Sequence, residues 1–341
     1  MASIAIVGGG VAGLATAYAL RETDAEVTVY EAGRSIGGRV ATRRRNGCVY
    51  DVGANYLKDD DPRVAELVTD DLADGLVEAE GPVWTFDADG EIAEGRGDGE
   101  RKWTYREGLV ELADHLRAVG DATVRTDSEV EALARSGEEW RVHFGDEAAS
   151  ADAVVLTPPA PATAYLLDRS EWDDLRREEL RDAAAAVPYR TVLSVALHYS
   201  YRTETPYYAL VNTDKEHDLG WVAREECKPD HVPDGESLLV VQPSPAWSRE
   251  RYEADDDEVA VAAADLAAEL LGDPDRYQFD WADVVRWRDA LPDAGADREA
   301  LARGADVGLF FAGDWVVGEG RAHAALRSGL ETGHRVRESI T

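Results

Sequence analysis

Short apolar runs punctuated by glycine set the rhythm of the chain. Ser3-Ile4-Ala5-Ile6-Val7 is a β-branched run that stops at glycine, the pattern of a strand buried in a parallel sheet. Leu14 to Arg21 has helical composition, with Leu14, Ala17, Tyr18 and Leu20 on compatible faces. Ala25 to Tyr30 alternates into a second strand that ends at Glu31. Further strand patterns fall at Ala122–Arg125, Ser128–Val130, Trp140–Phe144, Ala153–Leu156, Val192–Tyr199, Ser237–Gln242 and Gly308–Ala312. Asp255 to Leu271 is alanine-rich and amphipathic, hence helical with its acids on the wet face. A last helix starts near Ala322, where Ala325, Leu326, Gly329, Leu330 and Gly333 repeat at helical spacing. No internal repeat or low-complexity linker interrupts this order.

At 341 residues the chain is about twice the commonest domain size, so two domains or one large α/β unit is expected. Hydrophobic residues at 44% and charged residues at 31% exclude a disordered chain or a coiled coil. No apolar run reaches ~18 residues, so no spanning helix is expected. The start has no basic leader, and two cysteines, Cys48 and Cys227, make no disulfide framework. These features predict a cytoplasmic protein without a membrane partner.

Charge sharpens the picture. The formal net charge is −33, a poor match to nucleic acid, whose phosphates need positive partners. Only Lys58, Lys102, Lys215 and Lys228 are lysines, against 32 arginines. Dispersed acids (with clusters at Asp59-Asp60-Asp61 and Asp255-Asp256-Asp257) and few lysines predict a halophilic protein, because concentrated salt screens its self-repulsion. A GC-rich genome coding an ordinary acidic protein is the alternative.

Chemistry begins at Gly8-Gly9-Gly10-Val11-Ala12-Gly13, a G-x-G-x-x-G between strand and helix. Gly8 permits the tight turn, Gly10 lets backbone approach a pyrophosphate, and Gly13 lets helix pack on strand. The amides of the helix start, at Val11 and Ala12, face phosphates. Glu31, followed by Ala32, stands eighteen residues after Gly13, where a carboxylate accepts ribose hydroxyls and repels a 2′-phosphate. An adenine dinucleotide is expected; at this point FAD and NAD both fit.

Glu31 is followed by Gly37-Gly38-Arg39-Val40-Ala41-Thr42, and then by Asp51-Val52-Gly53-Ala54-Asn55-Tyr56. Near the other end, Gly313-Asp314-Trp315 follows a strand pattern and precedes a helix. Together these resemble the flavin-containing amine oxidase superfamily, in renalase-like style. The resemblance implies noncovalent FAD, with Gly38 and Arg39 near the diphosphate and Gly53, Ala54 and Asn55 beside the isoalloxazine. It places Asp314 at the ribitol-phosphate, Trp315 near the ring and Val130 at the adenine. Asn55 replaces a usual glutamine, and Ala324 a usual glycine.

The fold implied is α/β: a Rossmann-like, doubly wound FAD-binding domain over 1–75, 120–160 and 300–341. A second, mixed antiparallel-sheet α+β substrate domain takes 76–119 and 161–299. The seven histidines form no metal-like pair, neither cysteine has a catalytic context, and no catalytic residue stands out. The function implied is an FAD-dependent oxidase or dehydrogenase. It would accept a hydride on flavin N5 from a small molecule (a dihydronicotinamide isomer, an amine or a polyene) and be reoxidised by oxygen or another acceptor. A non-catalytic flavin-binding redox sensor, an NADH-dependent flavin reductase and a small desaturase-like enzyme are the alternatives. Oligomeric state is not legible.

Overall fold

Every strand pattern of the first thirty residues is realised. Strand β1 (Ser3–Val7) runs parallel to β2 (Glu26–Tyr30), with helix α1 (Val11–Leu20) between them in sequence. The computed structural model describes residues 1–58, 61–95, 101–272 and 276–340, so Asp59 and Asp60 lie outside the described residues. Backbone proximity divides the chain into two compact units, Met1–Val40 with Val110–Tyr189 and Leu291–Thr341, and Ala41–Leu109 with Arg190–Ala290. Residues 41–75 and 110–119 therefore group differently from the ranges expected for the two domains, as do 161–189 and 291–299.

The first unit holds a five-stranded parallel sheet. Its order is Leu309–Phe311, Ala153–Leu156, β1, β2, Thr123–Arg125. All ten residues of α1 are buried, which explains a helix apolar on every side. The terminal helix Ala322–Ile340 packs against α1 so closely that a Cβ on Gly329 would lie 2.3 Å from the Ala12 carbonyl oxygen, and one on Gly333 2.5 Å from Ala19 Cβ. A three-stranded antiparallel meander (Ala132–Ser136, Glu139–Phe144, Glu147–Ala151) completes this unit's strands. Trp140, wholly buried, donates from Nε1 to the Val307 carbonyl at 2.8 Å.

Ser128–Val130 is a loop, not the strand its composition predicts. Asp127 turns the chain with φ +50°, and the Ser128 hydroxyl donates to the Thr126 carbonyl. The amides of Asp127 and Ser128 then donate to Gly33 and Glu31, which takes the segment out of any ladder.

The second unit is built on a seven-stranded mixed sheet. Six of its strands, in spatial order, are Trp281–Pro292, Tyr189–Tyr199, Ser237–Pro243, Leu219–Arg224, Ala209–Asn212 and Val83–Phe86; Ile92–Ala93 forms the edge. Ala209–Asn212 and Val83–Phe86 pair parallel, whereas the pairs linking Tyr189–Tyr199, Ser237–Pro243, Leu219–Arg224 and Ala209–Asn212 are antiparallel. Period-two alternation sorts the side chains. Leu239 and Val241 join the core that packs under helix Asp256–Leu271, while Leu238 and Val240 meet Cys48, Tyr50 and Val52 on the other face. Asp255 caps that helix by accepting from the Asp257 amide at 3.0 Å. The antiparallel hairpin Thr42–Arg45 and Cys48–Asp51 lies over this second face.

Candidate functional site

In the first unit the glycine loop is shaped by close approach. Gly8 has φ +101°, and a Cβ there would sit 2.5 Å from Thr157 Oγ1. A Cβ on Gly13 would fall 2.0 Å from the Gly8 carbonyl oxygen, so helix and turn touch through bare backbone. Gly10 differs: a Cβ there would meet nothing within 4 Å. Open space thus lies over the N-cap of α1, whose cap residue supplies no side-chain acceptor and whose first turn has no acid. Those first amides and the helix dipole suit an anion.

The second glycine segment joins the first. The Gly37 amide donates to the Gly9 carbonyl at 2.9 Å, and Gly10 and Gly37 form a parallel bridge. Glu31 sits beneath them, accepting from the Gly9 amide on Oε2 and the Gly33 amide on Oε1, both at 2.7 Å. Each oxygen keeps a second lone pair for a hydroxyl. Ala32 is exposed beside it, and Val130, half-buried, follows the turn that donates to Glu31 and Gly33.

Arg39 and Asp314, 275 positions apart in sequence, form a bidentate pair with both N···O distances at 2.8 Å. Asp314 is nearly enclosed, whereas Arg39 keeps 28% of its side chain exposed. The Arg39 charge is therefore offset from within the protein rather than free for phosphate. The Trp315 amide donates to Asp314 Oδ1 at 3.0 Å. The Trp315 ring is placed otherwise than expected. It is wholly buried beside Phe311, tucked against Gly313, and offers a ligand no surface.

Gly53, Ala54 and Asn55 belong to the second unit, just past the end of the hairpin. They are held from three sides. Gln242 Nε2 donates to the Gly53 carbonyl at 3.1 Å, Trp287 Nε1 donates to the Val52 carbonyl at 2.7 Å, and the Val52 amide donates to Ala41. Asn55 Oδ1 is buried with no hydrogen-bond partner among the described residues. Tyr56 adjoins Trp221 and Tyr208 at ring distances of 6.2 Å, and Trp221 Nε1 is likewise buried and unpartnered.

Below that segment lies a cluster the sequence did not reveal. Lys228 Nζ stands 2.7 Å from Asp51 Oδ2 and 2.8 Å from Glu225 Oε1; His231 Nδ1 stands 3.0 Å from Glu225 Oε2. All four side chains are wholly buried. Burial works against the Asp51 carboxylate, but Lys228 and His231 outweigh it and hold its pKa below the usual range. Burial likewise opposes the Lys228 ammonium, and Asp51 and Glu225 more than reverse that, raising its pKa. Asp51, Glu225 and His231 converge as metal ligands would, but the ammonium already sits against both carboxylates. Cys48, His198 and Glu236 also converge, and there His198 Nε2 and Glu236 Oε2 share a hydrogen bond of 2.8 Å.

Lysine scarcity was the available signal. Lys228 is wholly buried, while Lys58 and Lys102 are half-buried and Lys215 is exposed.

A Rossmann-like sheet with an open helix start, joined in sequence to a mixed-sheet unit, defines a nucleotide-cofactor oxidoreductase fold. The chain belongs to the flavin containing amine oxidoreductase family, whose model matches residues 78–336; an NAD(P)-binding Rossmann-like domain model matches 6–70. That family is one of flavin-containing oxidoreductases.

Protoporphyrinogen oxidase 2 of Arabidopsis thaliana is 42% identical over 67 residues, 20% of this chain and 13% of that protein. Polyamine oxidase 4 of Oryza sativa is 46% identical over 55 residues, 16% of this chain and 11% of that protein. These matches span a small part of the relatives' length. Over 99% of both chains, the fold resembles a putative protoporphyrinogen oxidase from Exiguobacterium sp. (TM-score 0.79) and cyclohexylamine oxidase from Brevibacterium oxydans (TM-score 0.76), each at 16% identity. Among the described residues no helix is long and apolar enough to cross a membrane.

Proposed function

We propose that this protein is an FAD-dependent oxidase or dehydrogenase acting on a small organic donor, with FAD held noncovalently. The observation that carries the reading is the open, uncapped start of α1 over Gly10, flanked by Glu31 and the Arg39–Asp314 pair. These residues fit a dinucleotide, because the anion cradle and the hydroxyl acceptor come from adjoining backbone turns.

In this reading the amides of Val11, Ala12 and Gly13 and the turn at Gly38 hold the diphosphate, with Gly8 and Gly10 giving it room. Glu31 takes the adenosine ribose hydroxyls, with Ala32 and Val130 lining the adenine side. Asp314, fixed by Arg39, accepts from the ribitol-phosphate end, and Gly313 and Trp315 contribute through backbone. Gly53, Ala54 and Asn55 serve the flavin ring edge. When bound, FAD supplies the electron acceptor, taking a hydride at N5 and being reoxidised by oxygen or another acceptor.

The donor class we favour has a C–H beside nitrogen, as in an amine or a dihydronicotinamide isomer. The nitrogen lone pair stabilises the cation left when hydride departs. Relatives named as polyamine oxidase and cyclohexylamine oxidase support that class, while the donor named in protoporphyrinogen oxidase gives up hydrogen from a carbon not bonded to nitrogen and marks how far the family's donors range beyond it. Tyr56 and Trp221, backed by the buried Tyr208, offer flat apolar walls, and the unpartnered Asn55 Oδ1 and Trp221 Nε1 offer one acceptor and one donor for orientation. A renalase-like preference for dihydronicotinamides and a cytoplasmic, salt-adapted setting belong to the same reading. They are supported by the Asp51–Tyr56 motif and by the −33 charge with four lysines.

The test is the visible spectrum of protein purified in high salt, followed by anaerobic titration with donors. Flavin bands that leave on acid precipitation support noncovalent FAD. Bleaching by dihydronicotinamide isomers selects the renalase-like substrate, and bleaching by amines selects an amine oxidase. Protein that binds FAD but is bleached by no donor leaves the redox-sensor reading. A colourless protein that cannot be reconstituted with FAD overturns the proposal.

A further inference from the structure

The buried cluster and the Gly53–Asn55 segment share one residue. Asp51 ends the hairpin strand and stands two positions before Gly53. Its two carboxylate oxygens do different work. Oδ1 accepts from Thr42 Oγ1 at 2.6 Å and from the Leu109 amide at 2.8 Å, tying together both ends of the chain stretch that runs from Ala41 to Leu109. Oδ2 accepts from Lys228, at 2.7 Å.

The hydrogen bonds also fix the charge state. His231 Nε2 lies 2.9 Å from the Tyr105 carbonyl, which can only accept, so Nε2 carries a hydrogen. Nδ1 then faces Glu225 Oε2 at 3.0 Å, and a hydrogen bond there requires one more proton between them. The His231–Glu225 pair is neutral wherever that proton sits. Asp51 and Lys228 balance each other, so the four groups are neutral together.

The same turn is fastened to the hairpin by backbone. The Val49 amide donates to His231 at 2.7 Å, and the Asp51 amide approaches Glu225 Oε2 at 3.2 Å. Lys228 therefore stands at the junction of the turn, the hairpin end and the segment that follows it.

We propose that Lys228 is a positioning residue: through Asp51 and Glu225 it fixes the hairpin end, and so sets where Gly53, Ala54 and Asn55 stand for the flavin. This rests on the reading that Gly53–Asn55 serves the flavin ring. Gln242 and Trp287 hold the carbonyls of Gly53 and Val52, while Lys228 holds the strand that delivers them. Without the ammonium, Asp51 faces Glu225 with no cation between, and the strand end moves to admit water or a proton.

Two measurements test it, on Lys228→Met, Asn55→Asp and Val259→Ala. The last removes buried bulk under the helix on the far sheet face and touches neither the cluster nor the segment. Amide exchange of residues 52–56 in the cofactor-free protein reads the bracing directly. The flavin midpoint potential of the loaded protein reads its consequence.

We expect exchange at 52–56 to rise tenfold or more in Lys228→Met but not in Val259→Ala. We also expect the reduced-to-oxidised ratio at fixed potential to change about tenfold, about 30 mV for a two-electron couple. Should Lys228→Met not fold, Lys228→Met with Asp51→Asn restores neutrality and keeps an acceptor for Thr42 and Leu109; the same exchange and potential are then read on it. Unchanged exchange overturns the role. A potential moved by Asn55→Asp but not by the Lys228 variants overturns the positioning role and leaves the flavin reading standing. A potential moved by neither overturns the flavin reading and the role with it.

Discussion

The first unit leaves its buried ion pair half-open to water, whereas the second seals four titratable groups away entirely. Arg39 keeps 28% of its side chain exposed while it clamps Asp314; Lys228, Asp51, Glu225 and His231 show none. A half-open pair keeps one edge of its cation in contact with solvent and can relax there when its surroundings change. A sealed cluster cannot. Its strength goes into holding one backbone arrangement, since any loss leaves an uncompensated charge in a poorly polarisable interior. Cofactor chemistry is thus proposed around the first kind of pair and scaffold geometry around the second.

The sharpest way to break this contrast is to remove each cation. Lys228→Met should destabilise the protein by about 3–5 kcal/mol, the range for breaking a buried pair from one side. Adding Asp51→Asn should recover much of that, because charge balance returns and both Oδ1 contacts survive; urea unfolding of the two variants checks it. Arg39→Met should cost less stability, about 1–3 kcal/mol, since Asp314 keeps the Trp315 amide as donor and solvent reaches the gap. Its larger effect should be on FAD affinity, read by fluorescence titration. A Lys228 variant no less stable than the Arg39 variant would erase the distinction.

The pH dependence sharpens the same point. Asp51 has a depressed pKa, so its contribution is complete above the unfolded value of about 3.9 and is lost as pH falls below it. Lys228 has a raised pKa, so its contribution is complete below about 10.4 and is lost as pH rises beyond it. Between those limits the pair should add a flat term to stability. Chemical denaturation from pH 9 to 11.5 should show a steeper fall in the parent protein than in Lys228→Met, which keeps only the share that comes from the buried tyrosines and thiols, whose pKa values burial also raises.

The two sites also differ in how they could be read beforehand. Arg39 and Asp314 stand out only through the motifs that carry the family resemblance, whereas Gly8 to Gly13 and Glu31 announce themselves because close backbone approach and a ribose acceptor demand particular residue types at particular spacings. The parallel core strands were legible for a similar reason, as β-branched runs stopped by glycine. Glu225-Glu226-Cys227-Lys228 reads as a charged, solvated turn, and nothing local says otherwise. Its burial is decided by Asp51, 177 positions before Lys228, and by the hairpin laid over the sheet. Trp315 misled in the opposite direction. Its neighbour Asp314 fits the motif, but Gly313 lets the indole fold back into the core. Ser128–Val130 has strand composition, and the turn at Asp127 overrides it.

The smallest effect concerns the two thiols, which flank the sealed region. Burial pushes the pKa of Cys48 up to about 11, helped by Glu236 and Glu226. Burial also raises Cys227 to about 11, although Arg224 pulls the other way. A thiol with that pKa holds a thiolate fraction at pH 8 about two hundredfold below that of an ordinary cysteine near 8.5. Both should therefore react slowly with an aromatic disulfide reagent in the native protein, and at ordinary rates once unfolded. Accessibility then separates them. Cys48 is 1% exposed, on the hairpin and packed against the sheet, so its rate should track opening of that hairpin; Cys227 is only half-buried and should respond to pH alone. If Lys228 braces the hairpin end, Lys228→Met should speed Cys48 several-fold and leave Cys227 less affected. Equal acceleration of both would mean that the variant loosens the whole unit rather than the strand that Asp51 ends.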